Sequence, residues 1–338
     1  MLNLSNYYNM LPNSTYIHID NNQQRIENFI KEIIITPKHL LRKWSAVTNQ
    51  TPAAKIGYIG QHLASLITGV KGTGSGARGD DLEDGSEVKS CNKIDQADKC
   101  NDCKARVLRY ETTCSHCGSS NITRKEDSKW LFSVRSKEEL EQYLRMDRIV
   151  LILMDYPNFK ENNFDDIRIC VFEIYPNESR MKVFCELIQN HYFNIYRPKA
   201  DKGKKTNPMN LHPWSFQFYK CNPIKTFECI IQDIDKENAN IKIKKYITPS
   251  VDRNQNIAAE PMPTQLLKTK EWETLITKAR YANIRSQLTN KNLSKNEFKK
   301  LSNTEKCKVL PFIDEELRSL IPLREIVSVT QSNQYHRT

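Results

Sequence analysis

The first part of the chain carries hydrophobic positions at helical spacing. Apolar side chains recur every three or four residues from Ile26 to Ile33, and Pro37 is expected to end that helix. A short helix is expected over 38–47 and a longer one over 51–69. This region should therefore be helical.

The next part of the chain is expected to alternate short strands with one helix. The pattern predicts strands over 77–82 and 86–91, joined by a three-residue loop in which Gly85 takes the left-handed conformation. Further along, we expect a strand, a helix and a continuously apolar, buried strand: 130–135, 137–147 and 149–155.

Strands and helices segregate in the remainder of the chain. After the buried strand we expect strands over 167–176, 214–221, 226–234 and 240–247, with one helix over 179–193, and helical periodicity dominates from Pro263 on. We expect a mixed α/β (α+β) fold with a mixed central sheet flanked by helices. The predicted regions are an N-terminal helical region, a core with one insertion, a β-rich region and a C-terminal helical region: 1–50, 51–158 with the insertion at 97–126, 159–250 and 251–338.

The charge balance suits a polyanionic partner. Lys and Arg total 51 and Asp and Glu total 40, giving a formal net charge of +11; nucleic acid is the usual partner, although unspecialised basic proteins share this balance. No apolar run is long enough for a transmembrane helix, and the N-terminal residues lack a signal-peptide pattern. We therefore expect no membrane partner and a cytoplasmic protein whose ten cysteines stay reduced.

Four of these cysteines have the spacing of a metal site. Cys100 and Cys103 form one CxxC pair, and Cys114 and Cys117 form a second after a ten-residue insert. Two such pairs, each on a tight turn, supply the four thiolates of a tetrahedral zinc shell. Because that shell is closed, we expect one structural zinc ion per chain in a zinc ribbon, with His116 at the surface.

A cluster of carboxylates and a lysine lies in the expected hairpin. There Asp81 would lie opposite Glu87, and Lys89 would share the face of Glu87. Two carboxylates and the Val88 carbonyl would make a hard oxygen site suited to magnesium. The alternative interpretation of the same residues is an acidic turn before an ordinary strand.

The order of elements supports the metal-site interpretation. A helix, two strands, an inserted cysteine module, a strand, a helix and a buried strand follow one another over about 105 residues. This order, with the tripeptide Glu87-Val88-Lys89, resembles the common core of the PD-(D/E)xK nuclease superfamily, and among its members most resembles type II restriction endonucleases. The helix position that often carries a further glutamate in that family falls near Gln61.

The resemblance implies roles for the clustered residues. Asp81, or Asp80 if the hairpin slips by one residue, would bind Mg²⁺ together with Glu87 and the Val88 carbonyl. Lys89 would help to generate the attacking hydroxide. The implied activity is magnesium-dependent, sequence-specific hydrolysis of double-stranded DNA that leaves 5′-phosphates, performed by a homodimer that cuts both strands.

Basic residues outside this cluster are expected to contact DNA. Arg78 lies just before the acidic residues, near the implied position of the scissile phosphate. The resemblance makes 51–158 the catalytic core, and we assign DNA recognition to 159–250, where a basic loop would hold the backbone through Arg197, Lys199, Lys202, Lys204 and Lys205. The pattern leaves open whether the cysteine module, with Lys104, Arg106 and Arg109, contacts DNA or only braces the fold.

Two alternatives stay open at the level of sequence. One is a DNA repair or resolving nuclease of the same superfamily. The other is a DNA-binding regulator without enzymatic activity, in which the zinc ribbon is functional and the Glu87-Val88-Lys89 tripeptide is an ordinary strand. DNA cleavage separates the nucleases from the regulator.

Overall fold

The computed structural model describes residues 22–74, 80–175, 178–234, 236 and 239–324. Its α-helices are α1 (Asn22–Phe29), α2 (Thr36–Thr48), α3 (Ile56–Thr68), α4 (Lys137–Arg145), α5 (Glu178–Asn190), α6 (Arg197–Ala200), α7 (Phe216–Lys220), α8 (Arg253–Asn256), α9 (Thr269–Lys278), α10 (Tyr281–Gln287), α11 (Lys295–Lys300), α12 (Asn303–Val309) and α13 (Glu315–Ser319). Its strands are β1 (Glu87–Asn92), β2 (Ala97–Cys100), β3 (Arg106–Leu108), β4 (Ile122–Thr123), β5 (Trp130–Phe132), β6 (Ile149–Asp155), β7 (Ile167–Ile174), β8 (Met209–Leu211), β9 (Ile224–Gln232), β10 (Asn240–Tyr246), β11 (Met262–Pro263) and β12 (Phe312–Ile313).

A five-stranded mixed sheet forms the centre of the fold. Its strand order is β1-β6-β7-β9-β10, with β1 parallel to β6 and every other neighbouring pair antiparallel. The expectation of a mixed sheet flanked by helices is therefore confirmed. The boundary predicted between residues 158 and 159 falls between β6 and β7, two neighbouring strands of this one sheet. Strand β1 lies at one edge.

Each face of the sheet packs against its own helical layer. Val88 and Ile152 face one layer, where they contact apolar residues of α1 and α3 such as Leu63. Cys91 and Leu151 face the other layer, to which α4, α5 and the C-terminal helices contribute. This arrangement buries β6 and β7 completely. Among the described residues, no strand pairs with the outer side of β1, which we call the open edge.

Helix α3 approaches β1 closely because it carries a glycine at the contact. A Cβ atom at Gly60 would lie only 1.9 Å from the Ser90 hydroxyl oxygen, and 3.3 Å from Ile152 Cδ1. A residue with a side chain would push the helix away from the strand. The close contact brings the next residue of the helix, Gln61, to the edge of β1.

Several expectations about individual elements are wrong, and the residues 214–221, expected as a strand, contain the helix α7. Pro37 does not end a helix, because the π-helical turn Ile30–Ile35 connects α1 to α2 and Pro37 sits in the first turn of α2. The predicted strand 130–135 is shorter, and as β5 it pairs with β8 in a separate two-stranded sheet. Within the described ranges, no helix is long and apolar enough to cross a membrane.

Candidate active site

The candidate site lies at the open edge of β1. Glu87 and Lys89 project from the same face of the strand, and the Lys89 ammonium donates to Glu87 Oε1. Val88 points to the opposite face and is buried against α3. The strand thus presents one carboxylate and one ammonium side by side, with Glu87 buried and Lys89 partly exposed.

Asp81 reaches this edge through a turn and not through the expected hairpin. For the described residues 80–82, the expected ladder with 86–91 does not extend past Ser86, whose carbonyl accepts the amide hydrogens of Asp81 and Leu82, each at 3.1 Å. These residues run beside 71–73 instead: Leu82 forms an isolated bridge with Gly72, and the Thr73 amide donates to the Asp81 carbonyl at 3.2 Å. Residues 75–79, which complete the expected strand, lie outside the described part of the chain.

The Asp81 carboxylate connects α3 to β1. Its Oδ2 accepts the Val88 amide hydrogen at 2.7 Å, and its Oδ1 accepts Gln61 Nε2 at 2.5 Å. Because the amide and carbonyl of one strand residue point to the same side, the Val88 carbonyl also faces this open edge. Asp80 is exposed, and its backbone carbonyl accepts the Thr73 hydroxyl at 2.7 Å. Among the two candidate acids, Asp81 is therefore the one hydrogen-bonded to Val88.

The other acids of this stretch stabilise the turn. Asp84 accepts the Ser86 amide hydrogen at 3.1 Å and pairs with Arg148 at 2.6 Å, while Glu83 pairs with Lys71 at 3.4 Å. Gly85 has φ of +80°, the left-handed conformation predicted for it. The acidic stretch thus combines structural carboxylates with the carboxylate of Asp81.

A buried ion network fixes the start of β1. Arg148 donates to the Ser86 hydroxyl at 3.0 Å and to Glu173 at 3.4 Å, and its backbone carbonyl accepts the Glu87 amide hydrogen at 3.0 Å. Glu173 is fully buried and also pairs with Arg253. A buried charge network of this kind is costly to break, so the turn that positions Glu87 is held rigidly.

Burial sets the electrostatics of the carboxylates. It raises the pKa of Asp81, against the opposing effects of the Val88 amide and the Lys89 charge. Burial also raises the pKa of Glu87, against the attraction of Lys89 and together with repulsion from Asp81 and Asp80. Desolvated carboxylates that repel one another favour a bound cation.

Sequence reasoning missed one neighbour of this pair. Tyr143 of α4 is buried. Burial is the largest cause that raises the pKa of its hydroxyl, and the negative charges of Glu87, Glu139 and Asp81 raise this pKa further. The packing of α4 on the sheet brings Tyr143 into the field of the site. No local pattern in the sequence marks this residue.

The donor set fits magnesium. Asp81, Glu87 and the Val88 carbonyl offer hard oxygen ligands, and Mg²⁺ is commonly held by one or two carboxylates while it keeps several waters. Over the described ranges, no group of three or more acidic or histidine side chains gathers at this site. Water and substrate oxygens would complete the shell.

The four cysteines converge as their spacing predicts. Cys100 and Cys117 sulfurs lie 3.6 Å apart, as do those of Cys103 and Cys114, and all four lie within 4.8 Å of one another. A tetrahedral zinc ion with Zn–S bonds of about 2.3 Å requires sulfurs about 3.8 Å apart, so the thiolates fit this ion. The surrounding strands β3-β2-β4 form a small sheet, and we call residues 97–126 the four-cysteine module.

Local backbone conformation shapes the two cysteine turns. Lys104 and Gly118 directly follow the second cysteine of each pair, and both have positive φ, +63° and +72°. His116 is exposed, as expected. Arg109 is buried and pairs with Asp98 at 2.8 Å, so this arginine braces the module internally.

The basic residues that were expected to form a DNA-binding loop, from Arg197 to Lys205, lie at the surface. The expected basic loop is partly helical, because Arg197 and Lys199 belong to α6 at the end of a helical run that begins with α5. The exposed side chains of this group are Arg197, Lys199, Lys202, Lys204 and Lys205. Arg78 lies outside the described residues.

Comparison with known proteins gives two matches. The family model of the MamI restriction endonuclease matches residues 43–265, about two thirds of the chain. The type II restriction enzyme MamI of Microbacterium ammoniaphilum is 45% identical over 60 residues, which cover 18% of this chain and 20% of that enzyme. The aligned stretch thus spans about a fifth of the length of this relative. No solved structure matches the chain.

Proposed function

We propose that this chain, which belongs to the MamI restriction endonuclease family, is a magnesium-dependent type II endonuclease that cuts double-stranded DNA at a specific sequence. The observation that supports this proposal most is the Asp81 carboxylate hydrogen-bonded to Val88, beside the Glu87–Lys89 pair at the open edge of β1. These are the groups that the PD-(D/E)xK resemblance assigns to catalysis.

The carboxylates would hold the metal ion. Asp81 and Glu87, with the Val88 carbonyl, provide the protein ligands. Bound Mg²⁺ supplies positive charge that polarises the scissile phosphate and acidifies water. Gln61 holds Asp81 Oδ1 from the side of α3, and so fixes the carboxylate before the ion arrives.

Lys89 would orient the attacking water and stabilise the negative charge of the phosphate. Its ammonium lies against Glu87 and is partly exposed, so it can orient a water and stabilise the charge that develops on phosphorus-bound oxygens. The water would attack phosphorus in line with the leaving O3′, so that a new P–O bond forms as the P–O3′ bond breaks; one proton of the water passes to solvent, and O3′ takes up a proton from solvent. The products are a 5′-phosphate and a 3′-hydroxyl.

The remaining assignments complete the proposal. The exposed residues from Arg197 to Lys205 would contact backbone phosphates, which gives affinity without sequence information. Arg78 would contact the scissile region, and zinc would hold the four-cysteine module as a ribbon. Two copies of the chain would pair to cut both strands.

Plasmid cleavage tests this proposal against its alternatives. The protein is incubated with mixed plasmid DNA, with Mg²⁺ and without added divalent ions, and the products are separated on a gel. Discrete bands that require Mg²⁺ and carry 5′-phosphates are expected. A smear or structure-selective nicking would favour a repair or resolving nuclease. DNA binding without cleavage in any divalent ion would favour a regulator and refute the enzyme.

The dependence of the cleavage rate on pH provides a second prediction. The carboxylates must be ionised to hold Mg²⁺, and the pKa values of Asp81 and Glu87 are raised in the folded protein. The rate should therefore fall on acidification at a pH above the ordinary carboxyl range of about 4. Because metal and protons compete, more Mg²⁺ should move this fall to lower pH. Single-turnover rates across pH at two Mg²⁺ concentrations measure the shift. If the pH at which the rate falls is the same at both Mg²⁺ concentrations, the assignment is contradicted.

A further inference from the structure

The cations of the four-cysteine module divide between two faces of its sheet. On the inner face, Arg109 and Arg124 both pair with Asp98, at 2.8 Å and 3.0 Å. The Asp98 side chain is fully buried and also accepts the Lys125 amide hydrogen at 2.8 Å. Both inner cations therefore have a carboxylate partner within the module.

Cations of the outer face are arranged differently. Lys99 of β2 lies directly opposite Arg106 of β3 and Thr123 of β4, and all three are exposed. Directly opposite residues on antiparallel strands have Cβ atoms about 4.5–5.5 Å apart, where two like charges destabilise the sheet. Among the residues that the structure describes, neither Lys99 nor Arg106 forms an ion pair, and Arg106 donates to the neutral Thr51 hydroxyl at 2.7 Å. We call these three residues the outer row.

The orientation of the outer row is fixed by the way the module docks. The Arg109 guanidinium lies 4.8 Å from the centre of the Phe159 ring, and that of Arg124 lies 4.6 Å from the centre of the Phe164 ring. Both phenylalanines lie in the segment that connects β6 to β7, two strands of the central sheet. Because the inner face is bound to the core, the outer row lies on the opposite face of the module's sheet, where Arg106 also reaches Thr51 in the segment between α2 and α3.

We infer that the outer row binds backbone phosphates of the DNA substrate, outside the scissile bond. This inference rests on the proposed function, since DNA supplies the anion. Two adjacent cations without acidic partners are unfavourable in the free protein, and phosphate oxygens would relieve their repulsion. Strand β1 covers about 17 Å between Glu87 and Asn92 before the chain enters the module, so the outer row would contact DNA that flanks the scissile bond. A contact with backbone phosphates there would add affinity but no sequence information.

The salt dependence of DNA binding tests this inference. A variant with Lys99→Gln and Arg106→Gln is compared with the natural chain, without divalent ions, on DNA with and without the recognition sequence. The slope of log K against log salt should decrease in magnitude by about 1.8, since each lost phosphate contact contributes about 0.9. Binding should weaken on both DNAs.

A matched control removes two exposed cations that already have a carboxylate partner. Lys137 and Arg145 both pair with Glu141 on the exposed face of α4, and the double change to Gln alters the net charge by the same amount. This control should keep the natural salt slope. Zinc content and thermal melting verify the fold; if the double variant loses zinc, Lys99→Gln alone should reduce the slope by about 0.9.

The outcomes separate the inference from the proposed function. If the natural chain binds and cuts DNA but the variant with Lys99→Gln and Arg106→Gln keeps the natural salt slope, the outer row does not bind phosphate and only this inference is overturned. An equal reduction in the control would overturn it as well, because general charge would then explain the effect. If the natural chain neither binds nor cuts DNA, the proposed function fails with it.

Discussion

Replacing Lys89 with alanine is expected to reduce the DNA cleavage rate by roughly 10²–10³-fold or more, the usual cost of removing a group that stabilises transition-state charge. The change removes the only partner for which a contact with Glu87 Oε1 is seen among the described residues, and it leaves that buried carboxylate without its cation. DNA binding without divalent ions should stay close to that of the natural chain. Single-turnover cleavage and filter binding measure the two effects.

A lysine of the same segment provides the matched control. Lys71 pairs with Glu83 at 3.4 Å at the surface, where an ion pair contributes little to stability, and its backbone carbonyl, which the substitution keeps, accepts the Glu83 amide hydrogen. Lys71→Ala should therefore cut DNA at the natural rate. Natural activity in Lys89→Ala, with an intact fold, would show that the Glu87–Lys89 pair is not the catalytic centre.

Replacing a metal-binding cysteine should have the second largest effect. Cys114→Ser is expected to lower the zinc content from one ion per chain to none and to unfold the four-cysteine module. The module is too small to be held by its own core, since its fully buried apolar side chains are Cys100, Val107 and Cys114. Zinc binding energy is folding energy in such modules. Limited proteolysis should cut the module roughly tenfold faster or more, because each 1.4 kcal/mol lost raises the open population tenfold.

A cysteine outside the module controls for the chemistry of the substitution. Cys307 lies in α12 and is only partly buried, so Cys307→Ser should keep one zinc ion per chain and the natural proteolysis pattern. Metal analysis by atomic emission gives the zinc content of both variants. One zinc per chain in Cys114→Ser, or none in the natural chain, would contradict the four-thiolate site.

The cysteine arrangement was predictable because its information is local. Cys100, Cys103, Cys114 and Cys117 lie within one short segment, and the CxxC spacing dictates a tight turn at each pair. Short-range backbone geometry then brings the sulfurs together. The prediction needed no knowledge of how distant parts of the chain pack.

The position of Asp81 beside β1 was anticipated, but the route by which the chain brings it there was not. Alternation shows that residues near Leu82 are extended, yet it does not identify their partner. The structure pairs them with the segment around Gly72, and a turn returns the chain to β1. The side-chain contact between Asp81 and the Val88 amide replaces the predicted ladder.

Other parts of the site depend on tertiary packing. Gln61 reaches Asp81 because Gly60 lets α3 approach β1, and Arg148 reaches Ser86 because β6 lies beside β1. The sequence near each of these residues is ordinary.

The expectation that Pro37 ends a helix failed for a local reason. A π-helical turn just before Pro37 accommodates the proline, and such turns have no simple sequence signal.

The central claim is that Asp81 and Glu87 together hold a divalent ion at the edge of β1. Anomalous diffraction from crystals of the DNA-bound protein grown with Mn²⁺ locates the ion directly. The account predicts an Mn²⁺ peak about 2 Å from a carboxylate oxygen of each residue and from the Val88 carbonyl. A complex that cleaves DNA with Mn²⁺ bound elsewhere, and with neither carboxylate in contact with an ion, would contradict it.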